Sequence, residues 1–464
     1  MAVRTVAPPR PAVVLAVLVT CQLMLVLDLT VTNVALPSIQ ADLHFSSAGL
    51  SWVVNAYTLV FGGLLLLGGR AGDLFGRRRL FVGGLVLFTV ASLAGGLATS
   101  AGMLLAARIV QGVGAAAAGP STLALITTTF TEPRQRIRAL AVFSGMASGG
   151  FAIGLIVGGV LTTALTWRAV FFINVPVGAV VVALALHHLA ETSRPDTERR
   201  LDLAGAGTAT VGAAGLVYGC VRAVSAGWTD AITLGALAVG VVALVAFVLV
   251  ESRVAQPLLP LRLFADRNRA AAYVCFFLGP MAMMTCFFFL TQFLQDVLRL
   301  SPLATGIAFL PLAAPQFAMT RLVPVLLPRT GPKPLVVTGG LVLVAGLVWL
   351  TRLTPASGYL VDVLGPLVVL GVGAGIGFAP LNVVIMGNVE PRDSGAAGGV
   401  LQTMQNMGAT LGLAVLATVF GIAQRHAAGQ GVAPALVAGM THAITVGVGF
   451  AVASVVVALT FRPR

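Results

Sequence analysis

Long apolar runs follow one another from end to end of this chain, separated by short polar breaks. A helix needs about 20 apolar residues to cross the hydrocarbon core of a bilayer. Runs of that kind fall at roughly 12–36, 48–69, 80–99, 103–127, 137–163, 169–189, 202–222, 230–250, 271–295, 303–327, 334–352, 360–386, 394–422 and 438–461, fourteen in all. They are too long for strands and lack a two-residue alternation. The pattern predicts an all-α polytopic membrane protein with 14 transmembrane helices. The stretch before the first run, MAVRTVAPPR, is short and basic. No small-residue cleavage site precedes Asp28, so the first run is expected to remain as a helix rather than leave as a signal peptide.

Composition agrees with the pattern. Of 464 residues, 58% are hydrophobic and 9% charged, with mean hydropathy +0.99. A soluble protein carries about 25% charged residues. The net charge of +13 raises nucleic acid as a partner. The basic residues, however, sit in small clusters between apolar runs and form no stripe, so no nucleic acid is expected. With both termini in the cytoplasm, 21 basic residues fall on the cytoplasmic side and 5 outside, leaving Arg108 and Arg321 within spans. That asymmetry is the positive-inside pattern of a multi-pass protein of the cytoplasmic membrane. Cys21, Cys220, Cys275 and Cys286 all lie in apolar runs and read as packing residues. The single lysine, Lys333, is followed by proline, and no phosphate-binding loop is present, which argues against ATP. His44, His187, His188, His426 and His442 show no metal-ligand spacing. No metal and no cofactor are expected.

The chain looks repeated. Six runs occupy the first part and six the last, which predicts an N-terminal bundle at 1–193 and a C-terminal bundle at 263–464. Two inserted spans lie between them at 194–262, flanked by the polar loops ETSRPDTERR and ESRVAQPLLPLRLFADRNR. PRTGPK (328–333), after the second run of the last six, weakly echoes DLFGRRR after the second run of the first six. Two six-helix halves with a midplane site between them is a secondary-transporter plan.

The joint between the second and third runs reads GRAGDLFGRRRLF. Gly69, Gly72 and Gly76 permit a tight turn and close helix approach. Asp73 can pair with Arg77 or Arg78, or cap a helix start. Such a loop either latches one conformation of a two-state machine or is a solvated topology loop. GRAGDLFGRRR resembles the loop signature of the major facilitator superfamily. RIVQGVGAA (108–116) resembles the helix 4 signature of its proton-coupled exporters. LDLTVTNVALP (27–37) resembles the helix 1 signature of the fourteen-helix drug:proton antiporters. WRAVFFINVPVG (167–178) and SGAAGGVLQTMQNMGATLGLAV (394–415) are similar to further stretches of that branch. The resemblance covers nearly the whole chain, in order. It implies a major facilitator fold of two six-helix bundles with two extra helices between them, and bacterial multidrug efflux by proton antiport. It also implies roles for Gly69, Asp73, Gly76, Arg77 and Arg78 as a conformational latch, and for Gln111, Gly112, Gly154, Gly158 and Gly159 as motif residues of helices 4 and 5. Two departures stand out: Leu74 follows the loop aspartate where the family usually has arginine, and GLIVGG (154–159) lacks the helix 5 proline.

Fourteen of the fifteen acids fall in loops or at helix ends; Asp28 lies well inside a span. An ionised carboxylate there costs about 2.5–3.5 kcal/mol on insertion scales, so it should face a cavity or a partner. Asp28 is about 24 Å along the first helix from its inner end, and Arg108 about 9 Å from the outer end of the fourth, at 1.5 Å per residue. In a core about 30 Å thick they share a level. The expectation is that they approach directly, or through Gln111, Asn33 or water. Arg108 would hold the carboxylate ionised until the contact weakens and a proton loads. The alternative is a structural pair that sets helix packing.

Candidates for a substrate cavity are of two kinds. The ninth run, YVCFFLGPMAMMTCFFFLTQFLQ, combines thioethers and aromatic rings, among them Phe277, Met281, Met284 and Phe288. These suit an adaptable apolar or cation-binding pocket, or else lipid-facing packing. Polar residues within spans are the second kind: Asn33, Asn55, Tyr57, Gln292, Gln316, Asn382, Gln402, Gln405 and Asn406. Arg321 either snorkels or meets an anionic substrate. The leading expectation is a secondary exporter of drugs or amphipathic small molecules, coupled to protons and embedded in lipid. A proton-independent facilitator or an importer is the second. No nucleophile, base and metal converge, so an enzyme is not expected.

Overall fold

The computed structural model describes residues 11–45, 50, 52–190, 203–254, 259, 261–387, 389–390, 393–427, 429 and 431–462. The leading segment MAVRTVAPPR, the loop ETSRPDTERR and the expected 193/194 boundary lie outside the described residues. Among those described, the apolar runs fold as long helices: α1 (Pro11–Leu43), α2 (Trp52–Phe75), α3 (Arg77–Gly96), α4 (Ala101–Thr129), α5 (Pro133–Ala164) and α6 (Asn174–His188). Then come α7 (Leu203–Ala226), α8 (Ala231–Glu251), α9 (Arg267–Met284), α10 (Leu310–Thr330), α11 (Pro332–Leu350), α12 (Leu364–Met386), α13 (Ser394–His426) and α14 (Val432–Leu459).

By length and apolar composition, 12 helical segments among the described residues can cross a membrane. A thirteenth counts if Leu303–Met319 and Arg321–Thr330, bent by 48°, form one span. The fifth expected span coincides with α5, whose apolar stretch within the described residues is the shorter Ile153–Thr162. The ninth expected run is not a plain α-helix. Beyond α9 it continues through wide π turns at Thr285–Phe289 and Phe293–Val297, and Pro280 inside α9 withholds one backbone donor.

The contacts divide the chain into two units. One comprises Met1–Ala214, Val239–Leu261 and Asn388–Thr403; the other comprises Gly215–Ala238, Arg262–Gly387 and Met404–Arg464. Within the first, α3 and α4 meet backbone to backbone: a Cβ on Gly84 would come within 2.7 Å of the Gly114 carbonyl, and one on Gly114 within 2.6 Å of the Gly84 carbonyl. Within the second, Gly412 lets α13 lie on α9, where an added Cβ would sit 2.6 Å from Met281 Cα. Small residues at helix crossings are how membrane helices gain packing without a hydrophobic driving force.

Helix ends are tied by side chains. Ser100 accepts from the Met103 N–H at the start of α4, and Asp266 from the Arg269 N–H at the start of α9. In the first unit, Trp167 Nε1 and Arg168 Nη1 both donate to Asp42 Oδ2, at 3.0 and 2.7 Å, and Arg168 Nη2 donates to the Ala98 carbonyl. The Trp167 and Arg168 bonds hold the Asp42 carboxyl below the usual carboxylate range. This clasp joins the end of α1, the end of α3 and the turn before α6. Under it lies an apolar cluster that includes Val31, Ile39, Leu104, Val170 and Phe171.

Candidate functional site

α5 decides how α1 sits. A Cβ on Gly158 would stand 3.0 Å from Val31 Cα, and one on Gly154 would overlap Thr30. The glycines bring the backbone of α5 against the stretch of α1 that carries Asp28. Asp28 faces the opposite way, into the first unit, and is 2% exposed.

Its carboxylate accepts from donors on two helices, α4 and α6. Arg108 Nη1 of α4 donates to Oδ2 at 2.5 Å. One turn on, Gln111 Nε2 donates to Oδ1 at 3.1 Å. Asn174 Nδ2 of α6 reaches the same oxygen at 3.4 Å. Gln111 is itself held, its Oε1 accepting from Arg108 Nη1 at 3.0 Å and its Nε2 donating to Ser92 Oγ of α3 at 2.7 Å. α2 contributes through Arg108. Arg108 Nε donates to the Val53 carbonyl at 2.8 Å, and the guanidinium lies 4.4 Å from the centroid of the Tyr57 ring, with Phe171 at 5.9 Å on a second ring. Stacking on an aromatic face suits a weakly hydrated guanidinium taken out of water.

This is a buried, charge-compensated network. Removing two charges from water is costly, and only good geometry with further hydrogen bonds offsets it. Here Arg108 is fully buried, and its charge is balanced by Asp28. Breaking one side of such a pair leaves the other charge uncompensated. Neutralising either partner would remove the attraction in one step.

Asp28, Arg108 and Gln111, expected together, are together, and the contact is direct. Asn33 does not join them. It is exposed and turns back to donate to the Leu29 carbonyl at 2.8 Å, because on a helix a residue five positions after Asp28 points to another side. Ser92, Asn174, Phe171 and the Val53 carbonyl were not singled out from sequence. An amide inside an apolar run, as Asn174 is in WRAVFFINVPVG, was the available signal.

The second cluster gathers around Asp73. Its Oδ1 accepts from Arg77 Nε at 3.0 Å and Nη2 at 2.7 Å. It also accepts from the Gly395 N–H at 3.0 Å, and Oδ2 accepts from the Ala396 N–H at 3.1 Å. These are the first donors of α13, which have no partner within their own helix, and a carboxylate there opposes the helix dipole favourably. Gly69 and Gly395 allow the approach, since a Cβ on either would collide with the other's carbonyl. Gly76, with φ 103°, makes the turn into α3 that other residues rarely adopt. Arg78 Nη2 donates to the Leu186 carbonyl. Leu74, in place of the usual arginine, is buried. Gly112 packs α4 on α2, where a Cβ would stand 2.9 Å from the Tyr57 carbonyl, and Gly159 is buried in α5.

The cavity candidates fall in both units. Tyr57, Met281, Gln316, Asn382 and Gln402 are buried. Asn55, Phe277, Met284, Gln292, Gln405 and Asn406 are half-buried, and Phe288 is exposed. Tyr57 spends its ring face on Arg108. Phe277 lines a wholly apolar cavity of about 140 Å³ with Leu216 and Cys220 of α7, Leu237 of α8 and Met407 of α13. Gln316 Oε1 is buried with no hydrogen-bond partner among the described residues.

The family model described as Major Facilitator Superfamily matches residues 18–413. The chain belongs to the Major Facilitator Superfamily. It is therefore a multi-pass membrane transporter of small molecules and not an enzyme. Among the relatives of this superfamily member, the puromycin resistance protein pur8 of Streptomyces alboniger is 43% identical over 443 residues, 94% of this chain and 88% of that protein. The cephamycin export protein CmcT of Amycolatopsis lactamdurans is 43% identical over 405 residues, 87% of this chain and 83% of that one. Among solved structures, the human organic anion transporter MFSD10 (TETRAN) superposes with a TM-score of 0.69 at 17% identity, covering 97% of this chain and all of that one. At that identity the likeness concerns the fold.

Proposed function

We propose that this superfamily member exports antibiotic-like or amphipathic molecules across the cytoplasmic membrane by proton antiport, with Asp28 carrying the proton. The observation that carries the reading is the buried Asp28–Arg108 pair in a transporter, together with relatives named for resistance to or export of antibiotics. In the ionised state Asp28 holds Arg108. When a proton reaches Asp28 the pair loses its attraction, while Arg108 keeps the Val53 carbonyl, Gln111 and the Tyr57 face. Substrate and proton then occupy the site at different stages of the cycle. Gly69, Asp73, Gly76, Arg77 and Arg78 act as a latch: parting the start of α13 from α2 strips Asp73 of two backbone donors, and that cost favours the closed contact. Both termini lie in the cytoplasm, two six-helix bundles form the transporter, and α7 and α8 are inserted between them in sequence.

The test uses proteoliposomes, labelled puromycin as the probe and an imposed pH gradient. Uphill movement is expected in the parent protein and its loss in Asp28→Asn, with downhill movement retained. Uphill, gradient-driven movement that survives Asp28→Asn would falsify the carrier role. The missing helix 5 proline in the Gly154–Gly159 stretch favours a second reading, a proton-independent facilitator, in which puromycin movement ignores the gradient in the parent as well.

A further inference from the structure

Protonation creates a requirement at Asp28 that the carboxylate does not have. The ionised form only accepts hydrogen bonds, whereas the acid carries an O–H that needs an acceptor. A buried donor left without one forfeits its full hydration. Several polar atoms around Asp28 are already committed, while the Tyr57 hydroxyl is buried with no hydrogen-bond partner among the described residues, Asp28 included. Arg108 only donates. The Val53 carbonyl is taken by Arg108 Nε. Gln111 uses both ends of its amide, toward Arg108 on one side and toward Asp28 and Ser92 on the other, so turning it over breaks all three bonds.

Asn174 differs. Its Nδ2 meets Asp28 Oδ1 at 3.4 Å, a long and weak bond, and its carbonyl oxygen makes no hydrogen bond among the described residues. The residue is 4% exposed. It opens α6, directly after the short helix Ala169–Phe172 whose Phe171 faces Arg108.

We propose that Asn174 is the partner of Asp28 in both proton states: its amide donates to the carboxylate and, turned over by half a turn, accepts the O–H of the acid. The inference rests on the reading that Asp28 takes up protons. The two ends of an amide occupy nearly the same space, so the turnover reverses polarity without repacking. The balance is unequal. The acid gains its acceptor, while the carboxylate gives up only a weak donor and keeps Arg108 and Gln111. Asn174 therefore favours the protonated state. Among the described residues, the ionisable groups around Asp28 are Arg108 from α4 and Tyr57 from α2, with Cys21 of α1 beyond, near Tyr57. α3 presents Ser92 and α6 presents Asn174. α5 meets Val26, Leu27, Thr30 and Val31 through Gly150, Gly154 and Gly158, and brings no ionisable group there among the described residues.

The test is pH-difference infrared spectroscopy of the purified protein in detergent, which needs no transported substrate. The band of a protonated carboxyl that disappears in Asp28→Asn belongs to Asp28. Its titration midpoint is compared in Asn174→Leu, which has similar volume and neither donor nor acceptor, and in Asn174→Ser, which keeps an acceptor. The leucine variant should move the midpoint by about one pH unit toward acid, a tenfold loss of proton affinity, and the serine variant should stay near the parent. A leucine midpoint that matches the parent or moves to higher pH overturns the proposal, as does a serine shift as large as that of leucine. Thermal unfolding checks that each variant folds, and Asn174→Ala replaces the leucine variant if it does not. If gradient-driven export survives Asp28→Asn while the Asp28 band still titrates and shifts, the carrier reading falls and the amide proposal stands. No Asp28 band at any pH ends both.

Discussion

One guanidinium does the work of three contacts at the residue scale. Arg108 pairs with Asp28, anchors Gln111 and ties itself to the α2 backbone through Val53, all while fully buried. The balance of the pair predicts a non-additive response. Arg108→Met leaves Asp28 with no cation, and breaking a buried pair from one side costs about 3–5 kcal/mol. Arg108→Met with Asp28→Leu removes both charges, and most of that loss should return. Thermal unfolding of the single and double variants measures it, and equal destabilisation in both would show that the charge pair is not what holds the site. Both residues were legible in the sequence because an acid and a base inside spans stand out against apolar neighbours. Asn174 and Ser92 were not, because a neutral polar residue in a helix is ordinary until its distance to Asp28 is known.

Elements are joined here by short capped turns and glycine crossings. The turn between α7 and α8 shows how charge does this. Asp230 Oδ2 accepts from Arg222 Nε at 2.8 Å and from the Thr233 N–H at 3.0 Å, capping α8. Trp228 Nε1 in the same turn donates to Thr418 of α13 at 2.5 Å. The Arg222 bond first, and then the Thr233 N–H, bring the Asp230 carboxyl down to about 2. A depressed carboxylate stabilises the fold above its unfolded value of about 4 and loses that contribution as pH falls through its folded value. The gap in melting temperature between the parent and Asp230→Asn should therefore be constant near neutrality and close between pH about 4 and about 2. A gap that persists at the acid end would mean that the ionised carboxylate is not the stabilising group. The same scale explains what the loop signature did not reveal. Asp73 is expected to pair with Arg77 or Arg78 or to cap a helix start; it pairs with Arg77 and also caps a helix start, that of α13. Its other partners, the Gly395 and Ala396 N–H groups, lie 322 and 323 residues further along the chain, a contact no local spacing encodes.

At the scale of the whole molecule the asymmetry of basic residues carries a prediction about orientation. With both ends of the chain in the cytoplasm, as proposed, 21 basic residues stand on the cytoplasmic side and 5 on the other, the positive-inside pattern. A green fluorescent reporter fused after Arg464 should fluoresce, and alkaline phosphatase fused at the same point should be inactive. The reverse pair of results would invert the proposed direction of transport along with the topology. The contact units also part the chain differently from the expected bundle boundaries, taking Asn388–Thr403 with the first unit and dividing α7 and α8 between the two.

By itself the sequence determined the membrane class, the helical plan, the family resemblance and the placing of one acid and one base inside spans. Each of these follows from the local cost of putting polar groups in hydrocarbon. Only the tertiary structure decided which groups satisfy that acid, why Tyr57 is a platform for Arg108 rather than an open wall, and which helix start Asp73 caps. Those contacts depend on how close glycines let the backbones come, and that closeness belongs to pairs of helices, not to any one of them.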